Sequence, residues 1–501
     1  MTKWAAPSKA LTVQHAAEVD SDPRRWKALV VTQLAAFMVL LDVSIVNVAL
    51  PSIERDTGMP SSTAQWIVSG YALTLGLTLV PAGRLGDALG RRRMFMVALS
   101  AFVVTSAVTG AAPNGNLLIA ARLIQGVAGG MLIPQNSGLV QQLFRGAERG
   151  RAFGALGATV GFATAAGPVI GGLIFAAVKG TDAWRWIFYV NVPIGVVALV
   201  LAARLVPATK GAGWRRNDID LVGAMLLGVG ITTLLLPLVN VDTGGMNRLA
   251  WLWILTAVLL VAFGWWETRT RRRGRSPLLD PRLARTSGYA AGTTIGLVYF
   301  IGFTGIWLVL ALYFQDGLGY SPLRSGLSVT PFALGVAVSA AIAGRLVPRL
   351  GRWLTVGGLI ATIAGLAAVA LILRDTSANA TTWTVIGPLC IAGLGGGMVT
   401  SPNMTLTLEF VPVAMAGAAG GAVQTAQRIG AAIGTAALVT IYYHMLTHSS
   451  GAAVAASDAV LSATGFMLLA LLVASVELAR RLRRNRRAGC AGQPVQQPHH
   501  I

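Results

Sequence analysis

Apolar residues run through this chain in long blocks separated by short polar stretches. The blocks fall at 28–49, 63–83, 94–112, 117–139, 152–175, 185–205, 218–239, 249–268, 289–314, 325–345, 354–373, 383–405, 416–441 and 458–479. A helix needs about 20 apolar residues to cross a hydrocarbon core about 30 Å thick. The pattern therefore predicts fourteen membrane-spanning helices and an all-α integral membrane protein. The narrowest break is Ala111-Ala112-Pro113-Asn114-Gly115-Asn116, where Pro113, Asn114 and Gly115 favour a tight turn.

Composition agrees. The 501 residues are 54% apolar and 12% charged, with a mean hydropathy of +0.65. A soluble chain carries about twice that charge. Cys390 lies in an apolar run and Cys490 in a basic tail, so neither a disulfide framework nor a zinc site is expected. His15, His444, His448, His499 and His500 lack metal-ligand spacing. Residues 1–23 are polar and include acids, unlike a signal peptide.

A net charge of +21 raises the question of nucleic acid, and the placement of the charges answers it. Of 40 Lys and Arg residues, 32 fall on the side of the membrane that holds the N-terminus, and six on the other. The remaining two, Arg122 and Arg428, lie inside spans. Such asymmetry over short loops places both termini in the cytoplasm. The basic tail is expected to lie on anionic lipid headgroups, with no role for nucleic acid.

The chain also repeats. Gly83–Arg91 reads GRLGDALGR and Gly344–Arg352 reads GRLVPRLGR, at an offset of 261 residues. GGMLIPQN from Gly129 returns as GGMVTSPN from Gly396. Two six-helix pseudo-repeat bundles follow, at 24–206 and 288–480. A linker with two inserted helices spans 207–287, and tails occupy 1–23 and 481–501. Repeated halves are a common transporter build, with the substrate near mid-membrane between them.

One residue stands out against the apolar background. Asp42, in LLDVSIVN, costs about 2.5–3.5 kcal/mol in the middle of a membrane helix. It lies about 21 Å above the cytoplasmic end of the first span. Arg122 enters the fourth span, which runs the other way, about 8 Å below the outer face, so the two reach nearly one level. They are natural partners. The pair is either a proton carrier, responsive to helix movement, or a static ion pair.

Two further stretches carry unusual residues. GRLGDALGRRR joins the second and third spans on the cytoplasmic side, with Asp87 the one acid among Arg84, Arg91, Arg92 and Arg93. Gly83, Gly86 and Gly90 permit close approach and tight turns there. The fifth span, GALGATVGFATAAGPVIGG, offers small residues for close packing in lipid. Its Pro168 removes a backbone donor and should kink the helix.

These stretches resemble the signature motifs of the major facilitator superfamily, and in particular its bacterial fourteen-helix drug:proton antiporters. LDVSIVNVALP resembles the subfamily's first-helix motif, with Ser44 where threonine is more usual. GRLGDALGRRR, RLIQGVAGG and GATVGFATAAGPVIGG resemble the gate, fourth-helix and antiporter motifs. WRWIFYVNVPIG and GYSPLRSGL resemble further subfamily stretches. The resemblance implies proton-coupled export of lipophilic drugs or antibiotics by alternating access, across a bacterial cell membrane. It implies Asp42 and Arg122 as the proton-coupling pair. The cytoplasmic gate would comprise Gly83, Arg84, Gly86, Asp87, Gly90 and Arg91. The antiporter motif would comprise Gly157, Gly161, Gly167, Pro168 and Gly171. In the second copy of the gate Pro348 replaces Asp87, so the latch should be asymmetric.

Candidates to line a substrate cavity are Gln65, Trp66, Tyr71, Gln125, Gln135, Trp307, Tyr313, Gln424 and Arg428. Asp42 is the one acid expected deep in the bundle, with Glu267 and Glu477 at the inner interface. That favours neutral, zwitterionic or monocationic substrates over dications. No cofactor is expected, the proton gradient supplying the energy. The partners expected are a small lipophilic substrate, protons and membrane lipid, and the chain is expected to work as a monomer. A lipid or metabolite flippase on the same fold is the alternative. An enzyme has no support, since no nucleophile–base spacing appears. The charge asymmetry predicts that a fluorescent protein fused after Ile501 lights up in the cytoplasm; an external, dark fusion would reverse the topology.

Overall fold

The computed structural model describes residues 24–178, 180–208, 220–239, 245–286, 288–375, 378–448 and 451–490. The expected N-terminal tail, residues 1–23, lies outside them, as do residues 209–219 and the last part of the expected basic tail, 491–501. Fourteen helices among the described residues are long and apolar enough to cross a membrane.

The helices are α1 (Arg25–Thr57), α2 (Ser61–Leu89), α3 (Arg91–Gly110), α4 (Gly115–Leu143), α5 (Gly146–Ala177) and α6 (Asp182–Leu205). The inserted pair is α7 (Leu221–Val239) and α8 (Trp251–Arg272). Then come α9 (Tyr289–Leu312), α10 (Pro322–Leu350), α11 (Arg352–Asp375), α12 (Ala378–Thr407), α13 (Ala416–His448) and α14 (Ala452–Cys490). A 3₁₀ turn, Thr181–Trp184, leads into α6, and a π-helical turn, Tyr313–Gly317, follows directly on α9. Between α3 and α4, Asn114 caps the new helix by accepting from the Leu117 amide at 2.9 Å.

Most helices run past the apolar blocks that predict them. The clearest case is the segment between the second and third spans. The sequence pattern makes Gly83–Arg93 a loop; in the structure only Gly90 is outside a helix. It adopts φ +96°, which a side chain would oppose. Gly351, at φ +51°, breaks α10 from α11 in the same way. Hydropathy registers the thickness of the hydrocarbon, whereas backbone hydrogen bonding continues into the polar layer beyond it.

The chain divides into two compact units. One runs to Thr232 and adds Leu259–Asp280 and Pro412–Ala422. The other comprises Thr233–Val258, Pro281–Val411 and the chain from Val423 onward. The inserted helices α7 and α8 each contribute one end to each unit, and the first turns of α13 belong to the first.

The repeat persists in the packing. In the first unit α2 and α3 pack on α4, and α1 and α3 on α6; in the second α10 and α11 pack on α12, and α9 and α11 on α14. Gly126 and Gly130 of α4 lie on the α2 backbone at Tyr71 and Leu75. Gly393 and Gly397 of α12 lie on the α10 backbone at Phe332 and Val336. Lipid gives helices no hydrophobic reason to associate, so close backbone approach through small residues carries the contact. A Cβ at Gly130 would stand 2.9 Å from Thr78 Cβ and 3.1 Å from the Leu75 carbonyl carbon. Gly130→Leu is therefore expected to lose the folded protein, seen as aggregation on detergent size-exclusion chromatography; a monodisperse variant would refute the contact.

Candidate functional site

Asp42 is fully buried midway along α1. Its partners come from α4 and α6. Arg122 Nη1 lies 2.6 Å from Asp42 Oδ2. Gln125 Nε2 and Asn191 Nδ2 donate to Oδ1 at 3.2 and 3.0 Å. Both amides also donate to Ser106 Oγ on α3, at 2.6 and 3.3 Å. Arg122 and Gln125 share a helix face because they are three residues apart, and Arg122 Nη1 donates to Gln125 Oε1 at 2.9 Å.

The rest of the guanidinium is equally enclosed. Nε donates to the Ile67 carbonyl of α2 at 3.1 Å. The Tyr71 ring covers Cζ at 4.1 Å and Phe188 approaches at 5.5 Å. Removing two charges from water costs several kcal/mol each, and only close pairing with further hydrogen bonds offsets it. Here each charge has such bonds, from elements spread over five helices.

A second contact joins α1 to α5 two residues further on. Pro168 has no amide hydrogen, so the carbonyl four residues earlier, Thr164, lacks its usual helical donor. Ser44 Oγ supplies one, donating to Thr164 O at 3.2 Å. Gly167 makes this possible: a Cβ there would fall 2.5 Å from Ser44 Cβ. Gly157, Gly161 and Gly171 are buried along α5, as are Gly150 and Gly154.

At the end of α2, Asp87 and Arg91 form a buried pair at 2.8 Å. The Asp87 carboxylate also accepts from the Gly417 and Ala418 amides, at 3.2 and 3.1 Å. These are unsatisfied donors in the first turn of α13, where a negative charge is favoured. Arg91 donates to the carbonyls of Val413, at 2.5 Å, and of Gly138. Gly83 lies against the Gly417 backbone, and Gly86 against the Gln135 side chain. Arg84 is half-buried at the same end of α2.

The second copy is built differently. Arg352 occupies the position of Arg91, and Pro348 that of Asp87. Arg352 Nη1 donates to Asn403 Oδ1 at 2.6 Å, and Asn403 Nδ2 to the Gly292 carbonyl at 2.8 Å. An amide has replaced the carboxylate.

Burial of acids is wider than the sequence suggests. Glu267 is 2% exposed and accepts from the Leu279 amide at 3.0 Å. Asp220 accepts from the Gly223 amide and Trp266 Nε1, at 2.8 and 2.9 Å. Asp220 immediately precedes α7, and Glu267 lies on α8.

Of the residues set out as cavity-lining, Tyr71 and Gln125 belong to the Asp42–Arg122 cluster. Gln135 is buried against Gly86, donating to the Ala82 carbonyl at 2.8 Å. Gln65, Trp66, Gln424 and Arg428 are half-buried. Trp307 packs edge-on to Phe332 with centroids 4.5 Å apart. Tyr313 is buried in the π-turn. Sequence reasoning missed Asn191, Ser106 and the Val413–Ala418 turn. Asn191 had a signal, an amide inside an apolar run. Ser106 did not, because serine is common in membrane helices, and backbone donors carry no side-chain signature at all.

Comparison with known proteins gives a consistent picture. Residues 33–435 match the Major Facilitator Superfamily. The chain is 37% identical over 433 residues to the probable actinorhodin transporter of Streptomyces coelicolor, covering 86% of this chain and 75% of that one. It is 39% identical over 438 residues to the puromycin resistance protein pur8 of Streptomyces alboniger, covering 86% and 84%. It is 32% identical over 418 residues to the tetracenomycin C resistance and export protein of Streptomyces glaucescens, covering 83% and 75%. The fold is similar to that of the human organic anion transporter MFSD10, with a TM-score of 0.65 at 16% identity, covering 91% of this chain and 100% of that one.

The Ser44–Thr164 contact generates a test. Ser44→Ala is expected to cost about 1 kcal/mol of stability. In a Pro168→Ala background, where residue 168 donates its own amide, the cost should nearly vanish. A double-mutant cycle by thermal unfolding in detergent measures the difference; equal costs in both backgrounds would separate the serine from the proline.

Proposed function

The chain belongs to the major facilitator superfamily and is a multi-pass transporter of small molecules, and from that premise we propose that it exports lipophilic antibiotics or related drugs in exchange for protons. The observation that carries the proposal is the sealed Asp42–Arg122 pair. A static ion pair in an apolar bundle gains little over well-packed apolar residues. A pair that alternates between an ionised and a neutral carboxyl has a use for its cost.

The cycle proposed is alternating access. Asp42 takes a proton from outside, its attraction for Arg122 weakens, and substrate leaves outward. Proton release to the cytoplasm accompanies loading of the next substrate. Ser44, two residues from Asp42, passes movement of α1 to the proline-bearing helix α5. Asp87 and Arg91, holding Val413 to Ala418, act as the latch that opens and closes the cytoplasmic end. Both termini lie in the cytoplasm, and the monomer is the working unit.

The energy is sufficient. At about 150 mV one charge is worth about 3.5 kcal/mol, and each pH unit adds about 1.4 kcal/mol. Together they sustain a gradient on the order of 10³-fold for a neutral substrate. The substrate class is neutral, zwitterionic or monocationic. Gln65, Trp66, Trp307, Tyr313, Gln424 and Arg428 are proposed to contact it.

Two experiments decide. Expression in an efflux-deficient host should raise resistance to puromycin or another antibiotic of a small panel, and a protonophore should abolish the gain; no gain across the panel would overturn drug export. In inverted vesicles Asp42→Asn should reduce proton-coupled uptake of that compound at least a hundredfold. Undiminished uptake would eliminate Asp42 as the carrier.

A further inference from the structure

A buried carboxyl that gains and loses a proton needs opposite neighbours in its two forms. The carboxylate only accepts hydrogen bonds, whereas the acid must also donate one. The groups around Asp42 differ in their ability to receive that donated proton. Arg122 has donors alone. Gln125 Oε1 already accepts from Arg122 Nη1 at 2.9 Å, and Thr109 Oγ1 stands 3.5 Å from it. Asn191 is different. Its Nδ2 donates to Asp42 Oδ1 at 3.0 Å, while its own Oδ1 is buried and has no hydrogen-bond partner among the described residues. The residue itself is 0% exposed.

We infer that Asn191 is a positioning residue that serves both protonation states of Asp42, its amide turning by half a turn about χ2 when the proton binds. This rests on the proton-carrier reading above. With Asp42 ionised, Asn191 Nδ2–H donates to Oδ1, as in the structure. When a proton adds to Oδ1, the amide presents its own oxygen and accepts the new O–H. No covalent bond in Asn191 is made or broken, and the proton remains on Asp42. Ser106 turns with it: its hydroxyl receives Asn191 Nδ2 at 3.3 Å in one arrangement and donates to Asn191 Oδ1 in the other. Terminal amide torsions are broad and two-fold, so the turn needs no backbone change.

Arg122 is the one charged side chain hydrogen-bonded to Asp42 among the described residues. Gln125 and Asn191 are neutral, and Tyr71 faces the guanidinium. Without Asn191, the protonated form would have no acceptor, and the ionised form would keep Arg122 and Gln125. The residue therefore supplies the hydrogen bond whose direction reverses with the proton, and leaves the pair's geometry to others.

The test is pH-difference infrared spectroscopy on the purified full-length protein in detergent, which needs no substrate. Acidification should produce a protonated-carboxyl C=O band that Asp42→Asn removes. In Asn191→Leu that band should move to higher frequency, because its O–H has lost an acceptor. Asn191→Ser, whose hydroxyl both donates and accepts, should restore the wild-type position. Should Asn191→Leu not fold, Asn191→Ala carries the same expectation. A band unchanged in frequency in the apolar variant would overturn the role of Asn191 alone. A band that survives Asp42→Asn, with none assignable to Asp42 while the fold persists, would overturn the proton-carrier reading and this inference with it.

Discussion

The first unit is organised around the cost of keeping a carboxylate out of water. An isolated ionised carboxylate in an apolar medium is strongly unfavourable. Asp42 has a guanidinium and two amides on it, and these in turn are held by Ser106, the Ile67 carbonyl and the Tyr71 ring. The cluster ties α1, α2, α3, α4 and α6 to one point. Any change in the charge of Asp42 is therefore felt by five helices at once.

Small residues make such a cluster possible. Polar side chains reach across only where backbones come close, and Gly126 and Gly130 bring α4 onto α2 beside Arg122. On the other side of α1, Gly167 admits Ser44 to a carbonyl that Pro168 has left without its helical donor. The proline creates an unsatisfied group, the glycine opens the way to it, and the serine two residues from Asp42 fills it. The motif of α5 is thus chemically joined to α1 two residues from Asp42.

The two repeats share their packing but not their charges. The same pairs of helices pack in each unit, with glycines at matching positions. Arg91 holds a carboxylate and two carbonyls, whereas Arg352 holds the Asn403 amide. Duplicated architecture sets where the arginine lies; the residue one turn earlier, Asp87 or Pro348, sets what it can do. An acid can accept from the amides that a helix start leaves without intrahelical partners, and a proline cannot.

Much was legible in the sequence. Hydropathy alone determined fourteen helices, because lipid requires that every span satisfy its own backbone and bury few charges. The 261-residue offset determined the repeat, and helix rise put Asp42 and Arg122 at one level. Helix ends were not legible: Gly83–Arg93 reads as a loop because polarity begins there, yet hydrogen bonding continues to Leu89 and resumes at Arg91. Nor was the company of Asp42. Ser106 and Asn191 lie 64 and 149 residues away from it along the chain, and nothing local marks which of many serines and amides will face a given carboxylate. The same holds for Gly417 and Ala418, which act through backbone donors that every residue but proline possesses. Periodicity and hydropathy are properties of neighbours in sequence, so they specify elements. Hydrogen-bond partners are properties of neighbours in space, and only the packed helices decide them.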